Sequence, residues 1–148
     1  TPCGTLFPYT TLFRSASGSE PIARLELEHD ERGRVTDIAA APGALDAAFQ
    51  AVSHIMDETA RVEAIDMQYI ASDPDEPAED GQGADVLVEI QIGAKGETFA
   101  GRARERDIIP ACVNAYIDAL NNAQAVRRRR AETGGDPDKT KQAAVAAE

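Results

Sequence analysis

The feature that most limits what this chain can become is an internal repeat. Residues 23–56 read as strand, turn, strand and then a helix over GALDAAFQAVSHIM. Residues 84–120 read as strand, turn, strand and then a helix over DIIPACVNAYIDAL. Each predicted helix carries a stripe of alanines: Ala47, Ala48 and Ala51 in the first, Ala111, Ala115 and Ala119 in the second. A period of this kind fixes architecture before any single residue does, because each copy has one apolar face to bury. Small side chains along a helix let a sheet or a second helix come close, so the repeat reads as a packing and pairing device rather than a catalytic one.

The elements follow from periodicity. Ala23, Leu25 and Leu27 alternate with Arg24, Glu26 and Glu28, which is the period-2 pattern of a half-buried strand. Asp30–Gly33 supplies a turn, with Gly33 free to take positive φ, and Thr36, Ile38 and Ala40 return as a second strand. Pro42–Gly43 ends it. Leu45, Ala48, Phe49, Val52, Ile55 and Met56 recur at helical spacing, and Asp46 falls in the first turn, where a negative charge suits the helix dipole. Ile65, Met67, Tyr69 and Ala71 alternate in a third strand. Residues 73–83, DPDEPAEDGQG, are acidic and punctuated by Pro and Gly, which predicts an exposed loop. Val86, Val88, Ile90 and Ile92 alternate most cleanly of all. Lys95–Gly96 turns the chain, Phe99, Gly101 and Ala103 bring it back, and Pro110 sits early in a last helix, where its missing N–H costs little.

The predicted order is β-β-α-β-β-β-α, one strand short of two βββα units. The expected fold is therefore α+β, two βββα units with pseudo-twofold symmetry and helices packed on antiparallel sheets, the first strand of the first unit having been lost. Residues 5–15, TLFPYTTLFRS, look like the conceptual translation of a common sequencing adapter. On that reading residues 1–15 are an artefact outside the fold, residues 16–123 are the domain, and the chain is a fragment of a longer product. The string holds three of the seven aromatics, which leaves four to build a core. Such a core is modest, so a homodimer is expected. The last helix should end near Asn122, and residues 124–148 should form a charged, disordered tail.

Charge narrows the function. The chain carries 15 basic and 26 acidic residues, a formal net charge of -11. This argues against a nucleic-acid partner, which would call for a basic face. The one basic run, Arg127–Arg130, reads as cations at a helix C-terminus running into a solvated tail. No apolar stretch of about 18 residues is present, so no membrane span is expected. Two cysteines, Cys3 and Cys112, make no disulfide framework, and Cys112 lies among apolar neighbours as a small core residue. A reducing, cytoplasmic location fits.

The chemistry of a catalyst is not written here. His29 and His54 stand outside any H-x-H or H-E-x-x-H spacing and read as surface or satisfied side chains, so no metal is expected. There is no P-loop and no G-x-S-x-G elbow. The acidic loop matches no calcium-binding spacing.

Four stretches together resemble the C-terminal regulatory domain of 2-isopropylmalate synthase. Gly43-Ala44-Leu45-Asp46-Ala47 is similar to its G-P-V-D-A turn, and Ser17-Gly18-Ser19 to the S-G-S before its first long strand. Gly81-Gln82-Gly83-Ala84 with Val88 and Ile90 is similar to its G-x-x-A-x-x-x-V-x-V stretch. Gly101-Arg102, Asp107-Ile108-Ile109 and Ala115 to Asn121 are similar to its closing G-x-G…D-I…A-S-x-x-A-Y-x-x-A-L-N segment. The order and spacing cover residues 17–122 and agree with the repeat. One departure is at the turn: Ala41-Pro42-Gly43-Ala44 stands where the family often has G-N-G-P.

The resemblance implies feedback regulation. In that family the domain pairs with its twin, binds leucine between the units, and lowers the activity of a separate metal-dependent catalytic barrel that condenses acetyl-CoA with 2-oxoisovalerate. Citramalate synthase carries the same kind of domain with isoleucine as effector, and a purely structural dimerisation module is the third reading. No catalytic residue and no cofactor is expected in this stretch. Carried over residue by residue, the effector contacts are Ala41, Gly43, Leu45, Asp46, Met67, Ala71, Ala84 and Val86. The physical logic is that a free amino acid needs N–H and C=O groups for its charged ends and a small apolar pocket for its side chain. A helix N-terminus supplies the first, and a glycine lets the ligand approach.

Overall fold

Two three-stranded antiparallel sheets, each followed by a helix, make up the protein. The computed structural model describes the backbone of residues 6–14 and, with side chains, residues 20–71, 75 and 84–133. The first unit comprises β1 (Leu6–Arg14), β2 (Ile22–His29), β3 (Gly33–Ala40) and α1 (Ala44–Met56). The second comprises β4 (Arg61–Ala71), β5 (Ala84–Ala94), β6 (Glu97–Glu105) and α2 (Ile108–Glu132). The sheets are ordered β1-β2-β3 and β4-β5-β6, so β2 and β5 are central. This is the expected pair of βββα units, with one difference. The position reserved for a lost first strand is occupied by β1, which pairs with β2 from Leu6↔His29 to Arg14↔Ile22 with a register shift between Pro8 and Thr10. Ser17-Gly18-Ser19 and residues 73–74 and 76–83 of the acidic loop lie outside the described residues.

Alternation decides which strand faces are buried. On β2, Ala23, Leu25 and Leu27 turn inward, and on β5 Val86, Val88, Ile90 and Ile92 do the same with at most 2% exposure. Each such Val or Ile contributes about 1.5–3 kcal/mol by leaving water. Helix α1 lies on β2 and β3, and α2 lies on β5 and β6 and also reaches β1. The alanine stripes are what bring the helices down: Ala47, Ala48, Ala51, Ala111, Ala115 and Ala119 are all fully buried. Opposite the second stripe sits Gly101, where a Cβ would lie 2.8 Å from Ala119 Cα and closer still to Ala115 O and Ala119 N. Only a residue without a side chain lets α2 approach β6 this closely.

The turns obey local chemistry. Gly33 takes φ +71, as its place in the sequence requires. Lys95 and Gly96 both have positive φ, the signature of a two-residue hairpin turn whose twist matches its strands. Helix α1 ends with Asp57 in the left-handed region, its N–H donating to His54 O at 3.2 Å, while the Glu58 N–H donates to Ser53 O at 3.0 Å. That pair of bonds is a Schellman closure with aspartate in the place glycine usually takes.

Two expectations are corrected. Helix α2 does not stop near Asn122 but runs to Glu132, so residues 124–132 are helix rather than tail; residues 134–148 lie outside the described residues. Nor does Arg127–Arg130 read as a solvated run. Arg127 pairs with Glu58, whose side chain is only 6% exposed, and Arg130 Nη1 reaches Glu97 Oε1 at 2.7 Å. Helix propensity explains the first difference, because QAVRRRRAE contains only helix-compatible residues and no breaker before Gly134. The strand expected at Ile65, Met67, Tyr69 and Ala71 is present as β4. Ile65, Met67 and Tyr69 pair with Ile90, Val88 and Val86 and so share the face that carries α2. They are nonetheless 37%, 45% and 62% exposed, because α2 crosses β5 and β6 and leaves β4 uncovered.

Candidate functional site

Helix α1 presents one face to a cavity of about 690 Å³. Asp46, Phe49, Gln50, Ser53 and His54 line it from the helix, at the i, i+3, i+4, i+7, i+8 spacing of a single helical face. Ala41 and Pro42 enter from the end of β3, Thr59 and Ala60 from the connector after α1, Val62 from the start of β4, and Tyr116 from α2. The sequence folds this way locally because Pro42–Gly43 stops β3 and lets α1 start at Ala44. A bulge between Val62 and Ala64 then keeps Val62 on the inner face beside Ile92.

Phe49 and Tyr116 stack at a ring-centroid distance of 4.5 Å with an interplanar angle of 33°. Such a pair adds about 0.5–1.5 kcal/mol beyond burial. The Tyr116 hydroxyl and Ser53 Oγ are 2.8 Å apart. Two hydroxyls need only one proton between them, which leaves the second O–H for a ligand oxygen. Burial pushes the Tyr116 phenol up, the Ser53 hydrogen bond opposes this, and the negative charge of Glu58 adds to it, so the group is a neutral phenol at physiological pH. On the open side His54 Nδ1 meets Asp37 Oδ2 at 2.9 Å. Ser53 is thus tied to Tyr116 and His54 to Asp37, and the lining residues contain no nucleophile held against a base. Among the described residues no group of three or more His, Cys, Asp or Glu side chains could hold a metal ion.

At the N-terminal end of α1 the N-cap is Gly43, with φ -114 and ψ 146. That is ordinary extended backbone, so glycine is not required there for its conformation. What it leaves is space: a Cβ on Gly43 would lie 2.8 Å from Asp46 Oδ2. The Asp46 carboxylate therefore folds back over the first turn, and the site at the helix N-terminus is anionic. The cavity thus suits a small molecule with a cationic group for Asp46, an apolar body for Phe49, Ala60 and Val62, and an oxygen for the hydroxyl pair.

The eight residues singled out from the sequence fall in two places. Ala41 and Asp46 line the cavity, and Gly43 and Leu45 flank them in the first turn of α1 without lining it. Met67, Ala71, Ala84 and Val86 lie in the second sheet, with Ala71 paired to Ala84 and Tyr69 to Val86. From Val62, which touches the cavity, Ala71 is nine residues further along β4, about 30 Å at roughly 3.3 Å per residue. One protomer does not bring the two groups together. Sequence reasoning passed over Phe49, Gln50, Ser53, His54, Thr59, Ala60, Val62 and Tyr116. The helical spacing of the α1 residues was available as a signal. The contribution of Tyr116 was not, because it depends on how the two units pack.

Comparison with known proteins agrees with this architecture. Residues 11–124 match the family described as the LeuA allosteric (dimerisation) domain. The chain is 29% identical to a 2-isopropylmalate synthase of Salinibacter ruber over 114 residues, 76% of this chain and 19% of that protein. It is 27% identical to one from Trichodesmium erythraeum over 114 residues, 77% of this chain and 20% of that protein. A third, from Sediminispirochaeta smaragdinae, is 32% identical over 98 residues, 66% of this chain and 18% of that protein. The chain thus spans about a fifth of the length of these relatives. A match over residues 11–124, on a chain built of two βββα units, leads to one conclusion: the chain belongs to the LeuA allosteric (dimerisation) domain family.

Proposed function

We propose that this chain is the leucine-sensing regulatory and dimerisation domain of a 2-isopropylmalate synthase, pairing with a second copy and lowering the activity of a catalytic barrel when leucine is bound. The family match over residues 11–124 carries the reading. The cavity supports it chemically. The ammonium of a free amino acid is drawn to the Asp46 carboxylate, its carboxylate accepts from the free hydroxyl proton at Ser53 and Tyr116 or from backbone N–H groups, and an isobutyl side chain lies against Phe49, Ala60 and Val62. At about 690 Å³ the space is within the usual range for small-molecule sites.

Isothermal calorimetry with leucine and isoleucine tests it, read beside the melting temperature, which ligand binding to the folded state raises by mass action. Leucine is expected to bind and to raise Tm, and Asp46→Asn and Gly43→Val, which displaces the Asp46 carboxylate, to abolish both effects. A response to isoleucine alone assigns the domain to a citramalate synthase instead. No heat and no Tm shift with either amino acid leaves a structural dimerisation module and refutes the sensor.

A further inference from the structure

Helix α2 continues past residue 124, where the family match ends, and the added turns are tied down rather than free. Arg127 reaches back to Glu58, in the short connector between α1 and β4. Glu58 is itself bound to the cavity. Its N–H donates to the carbonyl of Ser53, and the next two residues, Thr59 and Ala60, are part of the cavity lining, as is Ser53. The charge of Glu58 is felt at Tyr116 on the cavity floor. One turn further along α2, Arg130 pairs with Glu97 at the start of β6. The extension thus bridges the connector between the two units and the second sheet.

The Glu58–Arg127 pair is largely buried and incompletely satisfied. Glu58 is 6% exposed and Arg127 27% exposed, so both have given up most of their hydration. A buried ion pair recovers that loss only when its remaining protons and lone pairs are also satisfied. Here Arg127 Nη2 is buried and makes no hydrogen bond among the described residues. The contact runs through Nη1 alone rather than through a two-pronged fork, which is the stronger arrangement. Such a pair holds a position without strongly favouring it.

We propose that Arg127 and Glu58 form a releasable latch: closed, it holds the Glu58–Ala60 wall of the cavity against the end of α2; released, it frees that wall to move and open the cavity. Its consequence for an amino-acid effector rests on the function proposed above. The latch itself does not, and it can be read without ligand.

The test is amide hydrogen exchange on the full chain, for wild type, Arg127→Met, Glu58→Gln, the double variant, and Arg129→Met as a control on the same helix. Arg127→Met and Glu58→Gln are each expected to speed exchange at residues 58–62 at least tenfold, and the double variant to be no faster than the faster single. Arg129→Met should match wild type, and the core strand around Val88 and Ile90 should keep its protection in every variant. Exchange at 58–62 within twofold of wild type in Arg127→Met overturns the proposal. So does acceleration shared by Val88 and Ile90, which would mean global loosening, and so do effects that multiply in the double variant. Should Arg127→Met fail to fold, Arg127→Gln removes the charge but keeps a polar side chain; it is expected to speed exchange at 58–62 and not elsewhere, and wild-type exchange there overturns the latch. If leucine fails to bind wild type, the effector reading falls while the exchange pattern still decides the latch.

Discussion

Gly101→Ala should be among the most damaging single-methyl additions in this protein. The added Cβ would lie 2.8 Å from Ala119 Cα, against an ordinary carbon–carbon contact of about 3.5–4.0 Å, so α2 has to recede by about 0.7 Å at least. The other two obstructing atoms, Ala115 O and Ala119 N, are also backbone. No rotamer change relieves the clash; the helix must move as a body. A gap of 0.5–1 Å forfeits roughly a quarter to a half of the dispersion attraction across a contact, and it would open beneath Ala115, Ala119 and their neighbours, which are now fully buried. Overpacking usually costs about 1–3 kcal/mol; with backbone on both sides the expected cost is about 3 kcal/mol, or on the order of 10 °C in Tm for a domain of this size. Urea denaturation followed by far-ultraviolet circular dichroism measures it. The same reasoning says that Ala119→Gly gives no rescue, since the obstructing atoms remain. It also says that Gly93→Ala is cheap, because there the new methyl meets only the carboxylate arm of Glu63, which can swing away. A Gly101→Ala variant within 1 kcal/mol of wild type, or one repaired by Ala119→Gly, would show that the close approach of helix and sheet is not what holds this position to glycine.

Two further outcomes follow from the structure. Burial raises the Cys112 thiol above its ordinary 9.0, and raises the Tyr116 phenol above its ordinary 10.0 with help from Glu58 and against the Ser53 hydrogen bond. Above those values the unfolded chain gives up protons that the folded protein keeps, so stability should hold below about pH 9 and fall as pH rises toward the folded pKa values; Tyr116→Phe should flatten the upper part of that fall in pH-dependent denaturation, and an unchanged slope would contradict the assignment. Deleting residues 1–15, which removes an edge strand carrying Pro8 and a register break, should change stability by no more than about 1 kcal/mol; a loss of several kcal/mol in chemical denaturation would establish that segment as native structure.

Much of the fold was legible because alternation and helical spacing are local signals. The inward faces of β2 and β5 and the buried stripes of α1 and α2 could be read from residues two, three or four apart, and Gly33 from its turn. What escaped depended on distance in the chain. Nothing near Arg127 announces Glu58, 69 positions earlier, so four arginines in a row looked like a solvated end until the helix carried one of them to a buried carboxylate. Tyr116 reads as core, and it is core, at 1% exposure; only the packing of α2 beside α1 turns its hydroxyl into part of a cavity wall. Nor does the sequence around Gly43 announce that its missing Cβ leaves room for the Asp46 carboxylate.

The cavity traces back to an inequality between the two copies of the repeat. Both helices begin on the same kind of turn and lie on the same kind of sheet, but α1 has 13 residues and α2 has 25. The longer helix covers β5 and β6 of its own sheet and goes on to touch β1 of the other unit. The shorter one is closed at Asp57 by its Schellman turn, and the connector that follows leads directly into β4, whose inner face is left bare at Ile65, Met67 and Tyr69. A perfectly symmetric pair of units would bury both faces alike. The unfilled volume lies beside α1 at the boundary between the units, with polar residues of α1 on one side and Val62 at the start of β4 on another. The extra turns of α2 then return to that boundary through Arg127 and Glu58.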